Sequence, residues 1–188
     1  MILLGVTGSI AAYKAVEILR LLVSRGEDVH VMMTPAATRF VGALTFRALS
    51  GHPVVTDVLD PKEWQMAHLD AVEHAQAVLI APASAEALSS FARGGAHDPV
   101  SASLLGVPRT KSGSLTKPVF LAPAMHAAMW RHPATQANVA TLKSYGYQFI
   151  GPVNGVLGRV GDTGEGRMED PEKIVARVKK TYARTKKL

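Results

Sequence analysis

The stretch MILLGVTGSIAAYK (residues 1–14) joins a short apolar run to the start of a helical pattern through the residues TGS. Beyond it, apolar residues recur at the spacing of one helix face: Ala12, Val16, Leu19 and Val23. Gly26 supplies a C-terminal stop, and a second apolar run, DVHVMM (28–33), follows at once. A strand, a helix and a strand in this order predict a βαβ unit, and therefore a parallel sheet.

The rest of the chain continues the same alternation. Further apolar runs are AVLIA (77–81), PVFLA (118–122) and YQFIG (147–151), and helical patterns cover 35–49, 84–93 and 133–145. Continuous apolar runs are typical of parallel strands that are buried on both faces. We predict an α/β protein with a doubly wound, mostly parallel sheet of five or six strands. Helices cover both faces, as in flavodoxin-like or Rossmann-like folds.

Length and composition indicate a single domain. The chain has 188 residues, 47% of them hydrophobic, and no cysteine, so disulfides and cysteine-based zinc sites are excluded. No apolar run approaches the roughly 18 to 20 residues of a membrane span. The N-terminal run has no basic segment or cleavage pattern before it reaches TGS, so it is typical of a strand rather than a signal peptide. We expect a cytoplasmic protein.

The net charge of +6 is concentrated at the C-terminus, where KKTYARTKKL (179–188) carries five basic residues and no acid. We interpret residues 176–188 as a solvated basic helix end or tail after a domain at 1–175. A docking patch for an acidic ligand or peptide is the alternative. No basic stripe with interleaved aromatic residues occurs elsewhere, so nucleic acid is not an expected partner.

The loop after the first strand favours an anion. Gly8 and Ser9 stand at the start of a helix, where backbone N–H groups and the positive helix end attract phosphate. Gly5 and Gly8 lack the third glycine of the dinucleotide fingerprint, so a single phosphate fits better. Ordinary helix capping by Thr7 and Ser9 is the alternative.

Ligands of open α/β sheets bind beyond the carboxyl ends of the strands. Here those ends carry TGSIAAYK, TPAATRF, PASAEA and PAMHAAMW. Thr34 and Thr38, in the second loop, either add hydroxyls to the same phosphate or cap a helix. The glycine-rich segment 151–166 is long for a compact domain, so it forms either a lid over the site or a mobile surface connection.

These segments, with LTFRALSG, AHLDAVEHA and GDTGEGRM, occur in the order found in the homo-oligomeric flavin-containing cysteine decarboxylases. The chain resembles that family over roughly residues 1–175. The family includes phosphopantothenoylcysteine decarboxylase and the peptidyl-cysteine decarboxylases of lantibiotic maturation. The resemblance implies bound FMN, with FAD possible, and trimers or larger rings that share the site between subunits. The cofactor-binding residues that it implies are Gly8, Ser9, Thr34, Thr38, Phe40, Ala83, Ser84 and Met125.

The family's chemistry removes carbon dioxide from a terminal cysteine after the flavin has oxidised the thiolate. By resemblance, His68 is the catalytic base. His126 and Glu86 stand where the family has asparagine, and we expect them to interact and to compensate for each other. In that case a histidinium at 126 holds the substrate carboxylate. The alternatives are an altered site and, for Glu86, a simple helix-start residue.

A further departure concerns position 160. Val160 stands where the decarboxylases of coenzyme A synthesis carry a cysteine that protonates the enethiolate intermediate. Peptidyl-cysteine decarboxylases lack that cysteine and release an enethiol. We therefore expect oxidative decarboxylation of a peptide's C-terminal cysteine. The alternatives are phosphopantothenoylcysteine decarboxylation and a flavin-binding oligomer without decarboxylase activity.

Overall fold

The structure is a computed structural model that describes residues 1–58 and 67–185; the side chains of residues 67, 68 and 182–185 lie outside that description. Its strands are β1 (Ile2–Val6), β2 (Val29–Met33), β3 (Val54–Val55), β4 (Ala77–Ala83), β5 (Val119–Pro123), β6 (Gln148–Phe149), β7 (Val153–Val156) and β8 (Thr163–Arg167). Its helices are α1 (Ala12–Val23), α2 (Pro35–Thr38), α3 (Ala43–Ser50), α4 (Ala67–His74), α5 (Ala85–Ala92), α6 (Pro99–Leu105), α7 (Ala127–Arg131), α8 (Pro133–Ser144) and α9 (Pro171–Thr185).

Six parallel strands form the central sheet in the order β3-β2-β1-β4-β5-β6. This order confirms the predicted doubly wound architecture. The chain starts in the middle of the sheet, builds outward through β2 and β3, and then returns to the other side of β1. The crevice between β1 and β4, where the direction of winding reverses, is the usual ligand site of such a sheet.

Both faces of the sheet are buried, as the continuous apolar runs predict. Along β1, Ile2 and Leu4 pack into a core with α1, α3 and α9, whereas Leu3 packs into a second core with α4, α5 and α6. Successive strand residues point to opposite faces. An apolar strand in this position therefore contributes to two cores at once.

One helical segment differs from the sequence-based prediction. The helical pattern at 35–49 forms two helices, because the backbone at Gly42 is extended (φ −65°, ψ 139°) and starts α3 anew. At the basic C-terminus, the described residues belong to the last helix. α9 crosses position 175, Val178 is fully buried, and Lys179 Nζ lies 3.0 Å from Glu27 Oε1.

The glycine-rich segment 151–166 folds back as an antiparallel hairpin of β7 and β8, and the end of β8 packs on α7. Met125 N–H donates to the carbonyl of Gly166 at 3.0 Å, which ties this hairpin to the loop after β5. The hairpin therefore forms a fixed wall beside the carboxyl ends of the strands. Among the described residues, no helix is long and apolar enough to cross a membrane.

Candidate functional site

A cavity of about 610 Å³ lies where the sheet order predicts a ligand site. Residues that follow three strands line it: Gly8 and Ser9 after β1, Ser84 after β4, and Met125 and His126 after β5. The hairpin forms the opposite wall with Leu157 and Gly166, among others. The volume is within the range of roughly 300 to 1,000 Å³ that is typical of small-molecule and cofactor sites.

Thr7 joins two of the loops that line the cavity. Its buried hydroxyl donates to the carbonyl of Pro82 at 2.7 Å and accepts from the N–H of Ser84 at 2.9 Å. Thr7 is therefore a cross-strand link between β1 and β4 rather than a helix cap. Buried polar groups need such partners, since an unpaired hydroxyl in the core costs about 1–3 kcal/mol.

The loop at Gly8 and Ser9 has the features of an anion site. It leads into the N-terminal end of α1, a helix of 12 residues. The Ser9 Oγ accepts from the N–H of Ala11 at 3.3 Å. The N–H groups of Gly8, Ser9 and Ile10 have no acceptor within the part of the chain that the structure describes. The helix end and these donors favour a phosphate here.

Lys14 adds a positive charge to the cavity. Its Nζ is buried and has no hydrogen-bond partner among the described residues. Burial lowers the pKa of Lys14 below its usual value of 10.5, and the positive charge of Arg167 lowers it further. Arg167 also lines the cavity and is paired with Asp170. A buried ammonium without a partner is costly, and an anionic ligand would supply the missing partner.

His126 begins α7 and faces the hairpin. Its Nδ1 accepts from the N–H of Ala128 at 3.2 Å, and its Nε2 lies 3.3 Å from Asp162 Oδ2. Because Nδ1 is an acceptor, the proton of this imidazole is on Nε2.

The expected contact between Glu86 and His126 is absent from the structure. Glu86 lies exposed in the first turn of α5, where an acid is favoured by the helix dipole, and it is not among the described residues that line the cavity. His126 faces Asp162 instead. Local sequence pattern could not place Asp162 beside His126, because Asp162 lies in the hairpin, 36 positions further along the chain.

Five of the predicted cofactor or catalytic residues line the cavity: Gly8, Ser9, Ser84, Met125 and His126. Thr34 caps α2, with its Oγ1 accepting from Ala37 N–H at 3.2 Å, and Thr38 donates to the carbonyl of Pro35 at 2.8 Å. The contact of Thr34 matches the capping alternative, whereas the hydroxyl of Thr38 bonds to a carbonyl within α2. Phe40 is 52% exposed, and Ala83 is buried within β4. None of Thr34, Thr38, Phe40 and Ala83 is among the described residues that line the cavity.

His68 lies in the first turn of α4, and its side chain is outside the described residues. The C-terminal end of α4 is held by Lys117, whose Nζ donates to the carbonyls of Val72 and Glu73. His68 as the catalytic base stays a prediction.

Sequence reasoning missed Lys14, Arg159 and Arg167 as lining residues and Asp162 as the partner of His126. A signal existed for Lys14. It follows Ala11 by three positions and precedes Ile18 by four, so it lies on the apolar face of α1. A lysine on a buried face indicates a specific partner. The hairpin residues carry no comparable signal.

Comparison with known proteins agrees with this geometry. A family model described as Flavoprotein matches residues 1–183. The chain belongs to the flavoprotein family. Its structural neighbours include the FMN-dependent cysteine decarboxylase SpaF, 28% identical with a TM-score of 0.78, over 98% of this chain and 96% of that one. They also include a mutant PPC decarboxylase in complex with pantothenoylaminoethenethiol, 26% identical with a TM-score of 0.84, over 97% of each chain.

Curated relatives are bifunctional proteins. The chain is 42% identical over 174 residues to the coenzyme A biosynthesis bifunctional protein CoaBC of Haemophilus influenzae, covering 92% of this chain and 41% of that protein. It is 45% identical to CoaBC of Mycolicibacterium smegmatis, covering 92% of this chain and 39% of that protein. The chain thus spans about two fifths of the length of these relatives.

The family confirms the predicted flavin cofactor, and the residues of the cavity fit it. A flavin mononucleotide needs a pocket for a flat ring system and a site for one phosphate. The helix end at Ser9 suits the phosphate, and the buried Nζ of Lys14 needs an anionic or accepting group. An added Cβ at Gly166 would lie 2.2 Å from the carbonyl oxygen of Met125, so only glycine allows the hairpin to approach this loop.

Proposed function

We propose that this chain is an FMN-dependent decarboxylase that acts on phosphopantothenoylcysteine. The observation that carries the proposal is the match of nearly the whole chain to about two fifths of CoaBC, a coenzyme A biosynthesis protein. The neighbour bound to pantothenoylaminoethenethiol supports a pantothenoyl substrate, and the neighbour named as the FMN binding protein AtHal3 supports FMN. This substrate was the alternative in the sequence analysis, and the relatives favour it over a peptide.

The residues of the cavity have distinct tasks in this proposal. Gly8 and Ser9 hold the FMN phosphate with backbone N–H groups, and Lys14 balances negative charge in the interior of the site. Bound FMN supplies the capacity to accept two electrons from the cysteine thiol. His126 donates from Nε2 to the substrate carboxylate, which leaves as carbon dioxide. His68 takes the proton from the substrate.

Peptidyl-cysteine decarboxylation is the second candidate, and one observation favours it. The chain has no cysteine, and Val160 is fully exposed at the tip of the hairpin. A side chain without an ionisable proton cannot protonate an enethiolate. An oxidised enethiol product, which needs no such proton, is therefore compatible with this sequence. The structural neighbour SpaF, a cysteine decarboxylase, is consistent with this candidate.

A multimeric site is part of the proposal. Apolar side chains that line the cavity are unusually exposed in the single chain: Ile10 at 60%, Tyr13 at 53%, Met129 at 49% and Val156 at 71%. A second copy that covers them would complete the wall of the cavity. We infer a homotrimer or a multiple of three, the symmetry that the resemblance implies.

The test is a parallel assay of two substrates. FMN-loaded protein is mixed with phosphopantothenoylcysteine and, separately, with a peptide that ends in cysteine. The masses of the products are then measured by mass spectrometry. A loss of about 44 Da indicates decarboxylation with return of the electrons, and a loss of about 46 Da indicates an enethiol. The control is His68→Asn with its FMN occupancy checked. Unchanged masses for both substrates would overturn the proposal, and turnover of the peptide alone would favour the second candidate.

A further inference from the structure

Two histidines and an aspartate converge at the opposite edge of the sheet from the flavin cavity. Asp28 immediately precedes β2, His30 is on β2, and His52 precedes β3, so all three lie toward the amino ends of the strands. One ligand atom from each side chain lies within 4.8 Å of the others. The proposed decarboxylase chemistry uses none of these residues.

The distances are those of a nearly assembled metal site. His52 Nε2 lies 2.7 Å and His30 Nε2 lies 3.6 Å from the same oxygen, Asp28 Oδ1. Ligands bound at about 2.0 to 2.1 Å in a tetrahedron are about 3.3 Å apart. The two observed distances bracket this value, and the ligand atoms of His30 and His52 lie within 4.8 Å of each other, so rotations of these side chains would be needed to place an ion among the three atoms.

The surrounding backbone holds the ligands in place. The carbonyl of Asp28 accepts from Ile2 N–H at 2.7 Å, and His52 N–H donates to Ser50 Oγ at 3.1 Å. Gly51, with φ of 75°, ends α3 in the left-handed conformation and turns the chain toward His52. The two imidazoles are stacked, with centroids 4.0 Å apart, so one ring has to rotate before both nitrogens can face a single ion. A site that the backbone has already formed loses less entropy when it binds an ion.

The chemistry of the donors selects the ion. Two imidazole nitrogens and one carboxylate suit zinc and related divalent transition metals, whereas magnesium and calcium prefer oxygen ligands alone. A neutral imidazole is the form that binds metal.

We propose that Asp28, His30 and His52 form a binding site for one Zn²⁺ ion per chain, with water in the fourth position. The side chains of Asp28 and His52 are 55% and 36% exposed, which gives the ion and its water access from solvent. β3 is a two-residue edge strand that pairs with β2 only through Val31 and Met32. Bound zinc would fasten the start of β3 to β2, so its role is structural rather than catalytic.

The experiment uses FMN-loaded protein without a histidine tag. The protein is treated with a chelator, dialysed at neutral pH and titrated with zinc chloride in a calorimeter. We expect one zinc ion per chain and a loss of affinity of at least about tenfold in His52→Ala and in Asp28→Asn. The matched control is His97→Ala, which removes another histidine beside an aspartate, with 3.4 Å between His97 Nε2 and Asp98 Oδ2. This control should bind zinc as the parent does.

A second measurement guards against variants that fail to fold. Zinc should raise the melting temperature of the parent and of His97→Ala, and should leave that of Asp28→Asn unchanged. Absence of stoichiometric binding, or equal affinity in the parent and Asp28→Asn, would overturn the site and leave only a hydrogen bond between His52 and Asp28. The inference is independent of the proposed function, because chelator-treated protein should retain its decarboxylase activity.

Discussion

The imidazole of His126 and the carboxylate of Asp162 face each other beside the flavin cavity, with Nε2 and Oδ2 3.3 Å apart. Although they are this close, Asp162 Oδ2 is buried and has no aligned hydrogen bond within the described residues. The two side chains are therefore close to each other without forming a well-aligned hydrogen bond. A substrate carboxylate that approaches Nε2 would compete with Asp162 for the same donor.

From this competition we predict that Asp162→Asn lowers the KM for the decarboxylation substrate. The substitution keeps the shape of the side chain and removes a negative charge that repels the substrate carboxylate. The effect should be at most about fivefold, as expected for a partly exposed charge pair. Steady-state kinetics measures it, and Glu165→Gln, an exposed acid on the same hairpin, should leave KM unchanged. An increase in KM for Asp162→Asn would show that Asp162 instead orients His126.

Lys14→Met should stabilise the FMN-free protein and weaken FMN binding. The substitution removes a buried ammonium that has no hydrogen-bond partner among the described residues, which should raise the free energy of unfolding by about 1 kcal/mol. FMN affinity should fall at least about tenfold, because an anionic ligand loses its charged partner. Denaturant unfolding and fluorescence titration measure the two effects. Lys180→Met, an exposed lysine on α9, serves as the control and should change neither.

The pH dependence of the FMN-free protein gives Lys14 an independent readout. Its folded-state pKa is lowered from 10.5, so between the lowered pKa and 10.5 the unfolded chain binds more protons than the folded one. The free energy of unfolding therefore gains a contribution that rises with pH across this window. Lys14→Met should reduce that slope. An identical slope in the parent and the variant would mean that Lys14 titrates normally.

Gly166→Ser should disrupt the cavity. An added Cβ would lie 2.2 Å from the carbonyl oxygen of Met125 and 3.2 Å from the N–H nitrogen of Ala127, and neither backbone atom can move without shifting the loop that carries His126. We expect a loss of bound FMN, measured by absorbance after gel filtration. Gly42→Ser is the matched control, since no atom of the described residues lies within 4 Å of its added Cβ and serine is favoured at the start of a helix. Retention of FMN in Gly166→Ser would show that the hairpin can move away.

The parts of the fold that the sequence predicted are those determined by short-range pattern. The apolar runs identified the strands at 77–81 and 118–122, and the loop TGS marked the ligand edge of the sheet, because burial on both faces leaves a continuous signal. The contacts of Asp162 and Arg167 depend instead on how a distant hairpin folds back against β5. Resemblance to known proteins located Met125 and His126 but could not indicate that His126 faces Asp162.

Exposed apolar residues at the cavity predict how the oligomer is held together. Val156→Lys should dissociate the proposed trimer, because it introduces a charge into a surface that another copy covers. Leu44→Lys is the matched control: Leu44 is 76% exposed, comparable to Val156 at 71%, but it lies on α3 and does not line the cavity. Light scattering should report three times the 20.0 kDa chain mass, or a multiple of that, for the parent and the control. A parent at 20.0 kDa that retains FMN would contradict the proposal.

Lys117→Met should affect catalysis from outside the cavity. The Nζ of Lys117 donates to the carbonyls of Val72 and Glu73 in the last turn of α4, the helix that begins beside the predicted base His68. Its removal leaves these carbonyls without a donor that is well placed at the negative end of the helix, at a cost of about 1 kcal/mol. Because α4 then holds its position less firmly, turnover should fall while FMN affinity stays the same.

Three measurements test this assignment of Lys117: denaturant unfolding, kcat and FMN titration. Lys111→Met, an exposed lysine in the same connection between α6 and β5, is the control and should match the parent in all three. Lys117→Arg should restore much of the stability and turnover, since a guanidinium can also donate to two carbonyls. If Lys117→Met loses stability but keeps the parent's kcat, the end of α4 would be a structural contact only. The proposed dependence of His68 on this helix would then be wrong.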